Sequence, residues 1–137
     1  MMKLAISYGA VIACALLFGT LSRAGDAGRH TVRITEREMA VSLSTTRVPA
    51  GQVTFVVRNS GTIPHELVVL RWTGDPRNLP RKGYKAVEGK LAVGEVEELD
   101  PGHVGEATLV LKPGKYLLIC NVPGHYQLGM HAVLTAV

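Results

Sequence analysis

Residues 116–137 read YLLICNVPGHYQLGMHAVLTAV and place Cys120, His125 and Met130 at equal five-residue intervals between two apolar runs. A cysteine that follows YLLI at the end of an apolar strand is ordinarily a small hydrophobe. Its neighbours argue for more. Pro123 and Gly124 bend the chain, so that a thiolate, an imidazole and a thioether can converge on one point. Such a soft donor set suits copper, whereas magnesium and calcium want carboxylates and zinc seldom takes a thioether.

A copper site of this kind needs a second imidazole. The segment NSGTIPHELVVL offers His65, where a Gly and Pro loop enters an apolar strand. Strand alternation puts His65 on the face of Leu67 and Val69. Alone it would read as an ordinary strand-end residue; beside a Cys, His and Met loop it becomes the candidate fourth ligand. His131 adjoins Met130 and in a strand points away from it, His103 lies in the turn DPGH, and His30 is near the expected start of the mature sequence. All three are expected at the surface.

These residues must be positioned by strands. HTVRITE alternates Val32 and Ile34 against charged partners, MAVSLS repeats the pattern, and QVTFVVRN, HELVVL, EATLVLK, YLLIC and HAVLTAV follow between Gly, Pro and Asn turns. About seven to eight short strands without a long amphipathic helix predict an all-β, two-sheet sandwich. Residues 71–90 lack strand periodicity and carry six basic against two acidic residues. They read as a surface excursion between the sheets, or more sharply as a docking face. GEVEELDPG then brings Glu95, Glu97, Glu98 and Asp100 together.

A chain of 137 residues is enough for one domain with a single core. Residues 1–24, with Lys3 near the start, an apolar run, and Ser22 and Ala24 placed for cleavage, read as a secretory signal peptide, which leaves residues 25–137 as the domain. A retained anchor is the alternative, although Ser7, Gly9, Gly19 and Thr20 interrupt the run; so is lipidation at Cys14, against which the apolar ALLFG that follows it argues. Cleavage removes Lys3 and Arg23, leaving 13 basic and 11 acidic residues and a net charge near +2, so a nucleic-acid partner has little support. It also removes Cys14. Cys120 is then a lone cysteine in an oxidising compartment and forms no internal disulfide, so it is a free thiol, an intermolecular bridge or a metal ligand.

PHE around His65 and CNVPGHYQLGM from Cys120 to Met130 resemble the ligand motifs of the cupredoxins, the small blue copper proteins of the plastocyanin and azurin type. Four residues in each gap of the loop are closer to the rusticyanin and sulfocyanin pattern. The resemblance covers nearly all of the sequence after the leader and implies a Greek-key sandwich with one copper near one end. It implies His65, Cys120 and His125 as strong equatorial ligands and Met130 as a weak axial one. Where plastocyanin and azurin carry an Asn after the first histidine, a residue that helps tie the two ligand loops, Glu66 stands here; Asn59 and Asn121 are the residues that could supply another tie.

The resemblance implies a one-electron carrier in the periplasm or outside the cell, a monomer meeting redox proteins transiently through the His125 edge among Val122, Pro123 and Leu128. A copper carrier is the alternative, but after the leader only Met39 and Met130 remain, and no Met-rich handling surface is present. An enzyme of the multicopper oxidase or nitrite reductase type is not expected: Ile119 and Asn121 flank the cysteine, and no His-x-His occurs.

Overall fold

The computed structural model describes residues 29–137, so the expected signal peptide of residues 1–24 lies outside the described residues. Two sheets face each other. One is ordered β2–β1–β4–β9 and the other β3–β11–β10–β5–β8, where β1 is His30–Arg37, β2 Ala40–Leu43, β3 Arg47–Val48, β4 Gly51–Asn59, β5 His65–Arg71, β8 Ala92–Leu99, β9 Val104–Leu111, β10 Gly114–Ile119 and β11 His131–Ala136. The chain changes sheet from β2 to β3, from β3 to β4, from β4 to β5, from β8 to β9 and from β9 to β10. Apart from the consecutive pairs β1–β2 and β10–β11, partners within a sheet are therefore distant in sequence, and β1 runs parallel to β4 while β5 runs antiparallel to β10. This is the expected Greek-key sandwich; among the described residues no helix is long and apolar enough to cross a membrane.

Period-two patterning selects the faces. In β1, Val32 and Ile34 point inward and Thr31, Arg33 and Thr35 outward; Val53, Phe55 and Val57 do the same in β4. They meet Leu67, Val69, Tyr116, Leu118 and Leu134 of the opposite sheet in the main core. β5 and β10 are buried on both faces, which explains their unbroken apolar runs. Their outer residues, Val68, Leu70, Leu117 and Ile119, form a second cluster with Leu79, Ala86 and Tyr126.

That second cluster corrects the reading of residues 71–90 as a surface excursion. The segment packs on the outer face of the second sheet through the partly buried Trp72 and the buried Leu79 and Ala86. It contains a short hairpin, β6 (Arg81–Lys82) with β7 (Lys85–Ala86), followed by a 3-10 turn at Gly89–Leu91. Its apolar residues are too irregularly spaced to show a strand period, and the surface they cover exists only once β5 and β10 are paired.

Among the described residues the buried polar ones are Glu36, Asn59, His65, Asn121 and His125. Glu36 and Asn59 are register partners at the far ends of β1 and β4, His65 opens β5 opposite Leu99, and Asn121 follows the end of β10. Alternation carries Glu36 onto the inward face of Val32 and Ile34, a face the sequence reading had left apolar. All five gather at one end of the sandwich, where the chemistry is.

Candidate metal centre

Three of the four candidate residues stand at strand ends, His65 opening β5, Cys120 following β10 and Met130 preceding β11, while His125 lies in the loop between the last two. Cys120 follows β10 directly, and its backbone N–H donates to the carbonyl of Met130, 3.1 Å away, while Met130 N–H donates to the carbonyl of His125 at 3.1 Å. The Cys120–Met130 loop is thus closed on itself. Inside it, His125 N–H bonds the Val122 carbonyl at 3.0 Å and Leu128 N–H the Gly124 carbonyl at 3.1 Å, a compact run of turns. Gly124 and Gly129 have φ of +89° and +110°, a region that residues with a Cβ avoid, so both turns call for glycine.

Within this frame three donors converge. Cys120 Sγ lies 3.3 Å from His125 Nδ1 and 3.7 Å from His65 Nδ1, and the two Nδ1 atoms are 3.2 Å apart. Atoms held about 2.0–2.3 Å from a single ion at near-tetrahedral or trigonal angles lie roughly 3.3–3.8 Å apart, so the triangle is the right size for one metal ion. His65 and Cys120 are completely buried, and His125 is 6 % exposed. The Met130 side chain is also completely buried, directly after the loop that its backbone closes. His131 is half-buried beside Tyr126, with ring centroids 5.8 Å apart, and neither it nor His30 nor His103 joins the cluster.

The protonation states favour metal binding by lone pairs. Burial lowers the pKa of His65, opposed by the nearby Glu38 carboxylate, and burial followed by repulsion from His65 lowers that of His125. Both imidazoles are therefore neutral at pH 7. Burial pushes the Cys120 thiol up to about 12, against the backbone N–H donors of Glu66 and Val122. Without a metal it is an inert, protonated thiol; a cation replaces that proton.

The ties around the site differ from those anticipated. Asn59 donates to the carbonyls of Ile63 and Leu99, both at 2.8 Å, and its Oδ1 accepts from Gly61 N–H at 2.9 Å, fastening the loop before His65 to the end of β8. Asn121 accepts from Ala86 N–H at 2.8 Å and donates to Glu88 Oε1 at 2.6 Å, fastening the cysteine loop to the segment after the hairpin. Neither asparagine joins the two ligand loops. That tie is the backbone N–H of Glu66, which donates to Cys120 Sγ at 3.5 Å. A main-chain donor serves whatever the side chain, so the Asn-to-Glu difference leaves it intact.

Two acidic residues at this end escaped the sequence reading. Glu38, in the turn between β1 and β2, accepts from the N–H groups of Thr62 and Ile63 at 2.7 and 2.9 Å and faces His65 Nε2 at 3.4 Å. Hydrogen bonds from its own N–H and that of Thr62 hold its carboxyl at about 2. Glu36 is completely buried, and neither carboxyl oxygen has a partner among the described residues. Burial, then the proximity of Glu66, pushes its pKa up to about 8.

Comparison with known proteins agrees with this geometry. The family model of the cupredoxin-like domain matches residues 10–136. Reduced auracyanin from the photosynthetic bacterium Roseiflexus castenholzii superposes with a TM-score of 0.62 at 24 % identity, covering 80 % of this chain and 99 % of that one. Auracyanin A, a "blue" copper protein from the green thermophilic photosynthetic bacterium Chloroflexus aurantiacus, gives 0.60 at 25 % identity over 80 % of this chain and 100 % of the other. Rusticyanin from Thiobacillus ferrooxidans gives 0.56 at 17 % identity, with 80 % and 79 % covered, a likeness of fold. No curated protein sequence matches the chain. Because the family match spans nearly the whole sequence and the convergent His65, Cys120 and His125 form a site fit for copper, the chain belongs to the cupredoxin-like family.

Proposed function

We propose that the protein is an exported, mononuclear blue copper protein that carries single electrons between redox proteins. The observation that carries this reading is the buried triangle of one thiol sulfur and two imidazole Nδ1 atoms, with edges of 3.2 to 3.7 Å, drawn from the first residue of β5 and from the loop after β10, which begins 55 residues further on. A trigonal His, His, Cys set with a weak axial Met is the arrangement of blue-copper electron-transfer sites. His65, Cys120 and His125 would hold the ion, and Met130 would be the axial ligand. Copper, when bound, supplies a centre that alternates between Cu(I) and Cu(II).

The remaining work falls to the chain. Burial of His65, Cys120 and Met130 excludes water, and the closed loop and the Glu66 N–H hold the donors still, so little rearrangement accompanies a change of charge. The same burial opposes release of the ion and disfavours a copper carrier. His125 is the ligand nearest solvent and so the edge through which an electron leaves. Beside it the β6–β7 hairpin is pinned to the ligand loop by Gly124 N–H donating to the Tyr84 carbonyl at 2.8 Å. Tyr84 and Leu128, 74 % and 64 % exposed, flank a shallow hollow of about 360 Å³ that Arg81 also lines. With Lys82 and Lys85 on the same hairpin, this rim suits a transient redox partner whose own surface is apolar at the centre and acidic around it.

The test is optical. Copper-loaded protein should bind one ion and show an intense thiolate-to-Cu(II) charge-transfer band, and Cys120→Ser should abolish the band while the sandwich stays folded by circular dichroism. A variant that keeps its colour, or a parent that never acquires one, would overturn the assignment.

A further inference from the structure

We propose that Glu38 is a positioning residue for His65: its carboxylate holds the imidazole with Nε2 protonated and Nδ1 turned to the metal, and its fixed charge lowers the reduction potential. This rests on the copper reading above. Glu38 belongs to the first sheet's edge and His65 to the second sheet, so the contact crosses the sandwich at its open end. His65 Nε2 is buried, has no hydrogen bond among the described residues, and faces Glu38 Oε1 at 3.4 Å. That distance is in ion-pair range and a few tenths of an ångström beyond a good N–H···O bond. The opposite ring nitrogen, Nδ1, is the one that meets Cys120 and His125. A ring that presents Nδ1 as a lone pair must carry its proton on Nε2, and Glu38 is the acceptor facing that proton.

The carboxylate is built into place rather than resting there. It accepts from Thr62 N–H, Ile63 N–H and, at 3.4 Å, the Thr62 hydroxyl, so it clamps the loop that delivers His65 three residues later. Gly61 makes room for it, since a Cβ at that position would collide with both carboxyl oxygens. A carboxylate bonded to the far nitrogen of a ligating histidine fixes its tautomer and orientation and raises its basicity, and loss of such a partner typically costs 10–100-fold in metal affinity. Negative charge placed there also favours the more highly charged Cu(II) over Cu(I), which lowers the potential.

Three variants separate charge from geometry. E38Q keeps an acceptor of the same shape and loses the charge: the copper protein should stay blue, with its potential shifted upward. E38A removes the acceptor, and G61A displaces the carboxylate while leaving Glu38 in the sequence; both should shift the potential upward and weaken copper binding about 10–100-fold. In the metal-free protein, nitrogen NMR of the His65 ring should show the Nε2–H tautomer in the parent and E38Q, and a mixture in E38A. An E38Q potential equal to that of the parent, in a folded blue protein, would overturn the electrostatic role; an unchanged tautomer and affinity in E38A would overturn the positioning role. Were the parent itself colourless, the copper reading would fall, and the tautomer measured without metal would still decide on Glu38.

Discussion

Glu36 is a carboxyl sealed inside the sandwich with no hydrogen-bond partner among the described residues, and it should make the metal-free protein lose stability as pH rises. In the unfolded chain it titrates near 4.5 and in the fold near 8, so between these values the folded state keeps a proton that the unfolded chain has released. Stability is therefore fully present below 4.5 and is lost as pH climbs through 8. Each pH unit in the window withdraws up to about 1.4 kcal/mol, and the full crossing about 5 kcal/mol. That is a large share of the roughly 5–15 kcal/mol that holds a domain together. Glu36→Gln keeps the shape and removes the titration. Since the protonated acid and the amide are both buried polar groups without partners, the two proteins should be similar near pH 5, and the variant should be more stable by several kcal/mol at pH 9.

Urea unfolding of metal-free parent and variant at pH 5 to 9 measures this directly. The difference between the two proteins is the quantity to follow, because His65 and His125, with pKa values lowered by burial, contribute the opposite slope below about 6.5 in both. The series stops at pH 9 because the unfolded Cys120 thiol titrates there while the folded one waits until about 12. Parallel stability curves for parent and variant, or a parent whose stability relative to the variant rises with pH, would refute the reasoning.

Two further outcomes are expected. Met130→Leu should keep copper and shift the reduction potential upward, as measured by redox titration, because removal of a weak axial sulfur disfavours Cu(II); complete loss of metal would instead make Met130 a principal ligand. Electron exchange with an acidic partner should slow as salt rises, since exposed charges are screened beyond about 10 Å at 0.1 M, and the joint change of Arg81, Lys82 and Lys85 to Gln should flatten that dependence while leaving the spectrum and retention against a chelator unchanged.

The meeting of Cys120 with His125, in a loop that the Met130 backbone closes, was legible in the sequence because it is local: spacing, Pro123 and Gly124 are local facts. His65 could be added by alternation, and the strand periods were enough for a two-sheet sandwich. Glu36 also left a local signal, since strict period two places it on the face of Val32 and Ile34, but one carboxyl in a strand that carries other charged residues does not stand out until the strand's inner face is known. Residues 71–90 offered no period because they cover a surface that pairing of β5 with β10 creates. Glu38 offered no signal at all. It lies in a turn, and its partners Thr62, Ile63 and His65 are more than 20 residues away, so only the approach of one sheet's edge to the first residue of a strand in the other brings them together. Which donors are chemically able to meet is written in residue types and spacing; which charge stands behind them depends on how two sheets pack, a property of long-range contacts that no window of sequence contains.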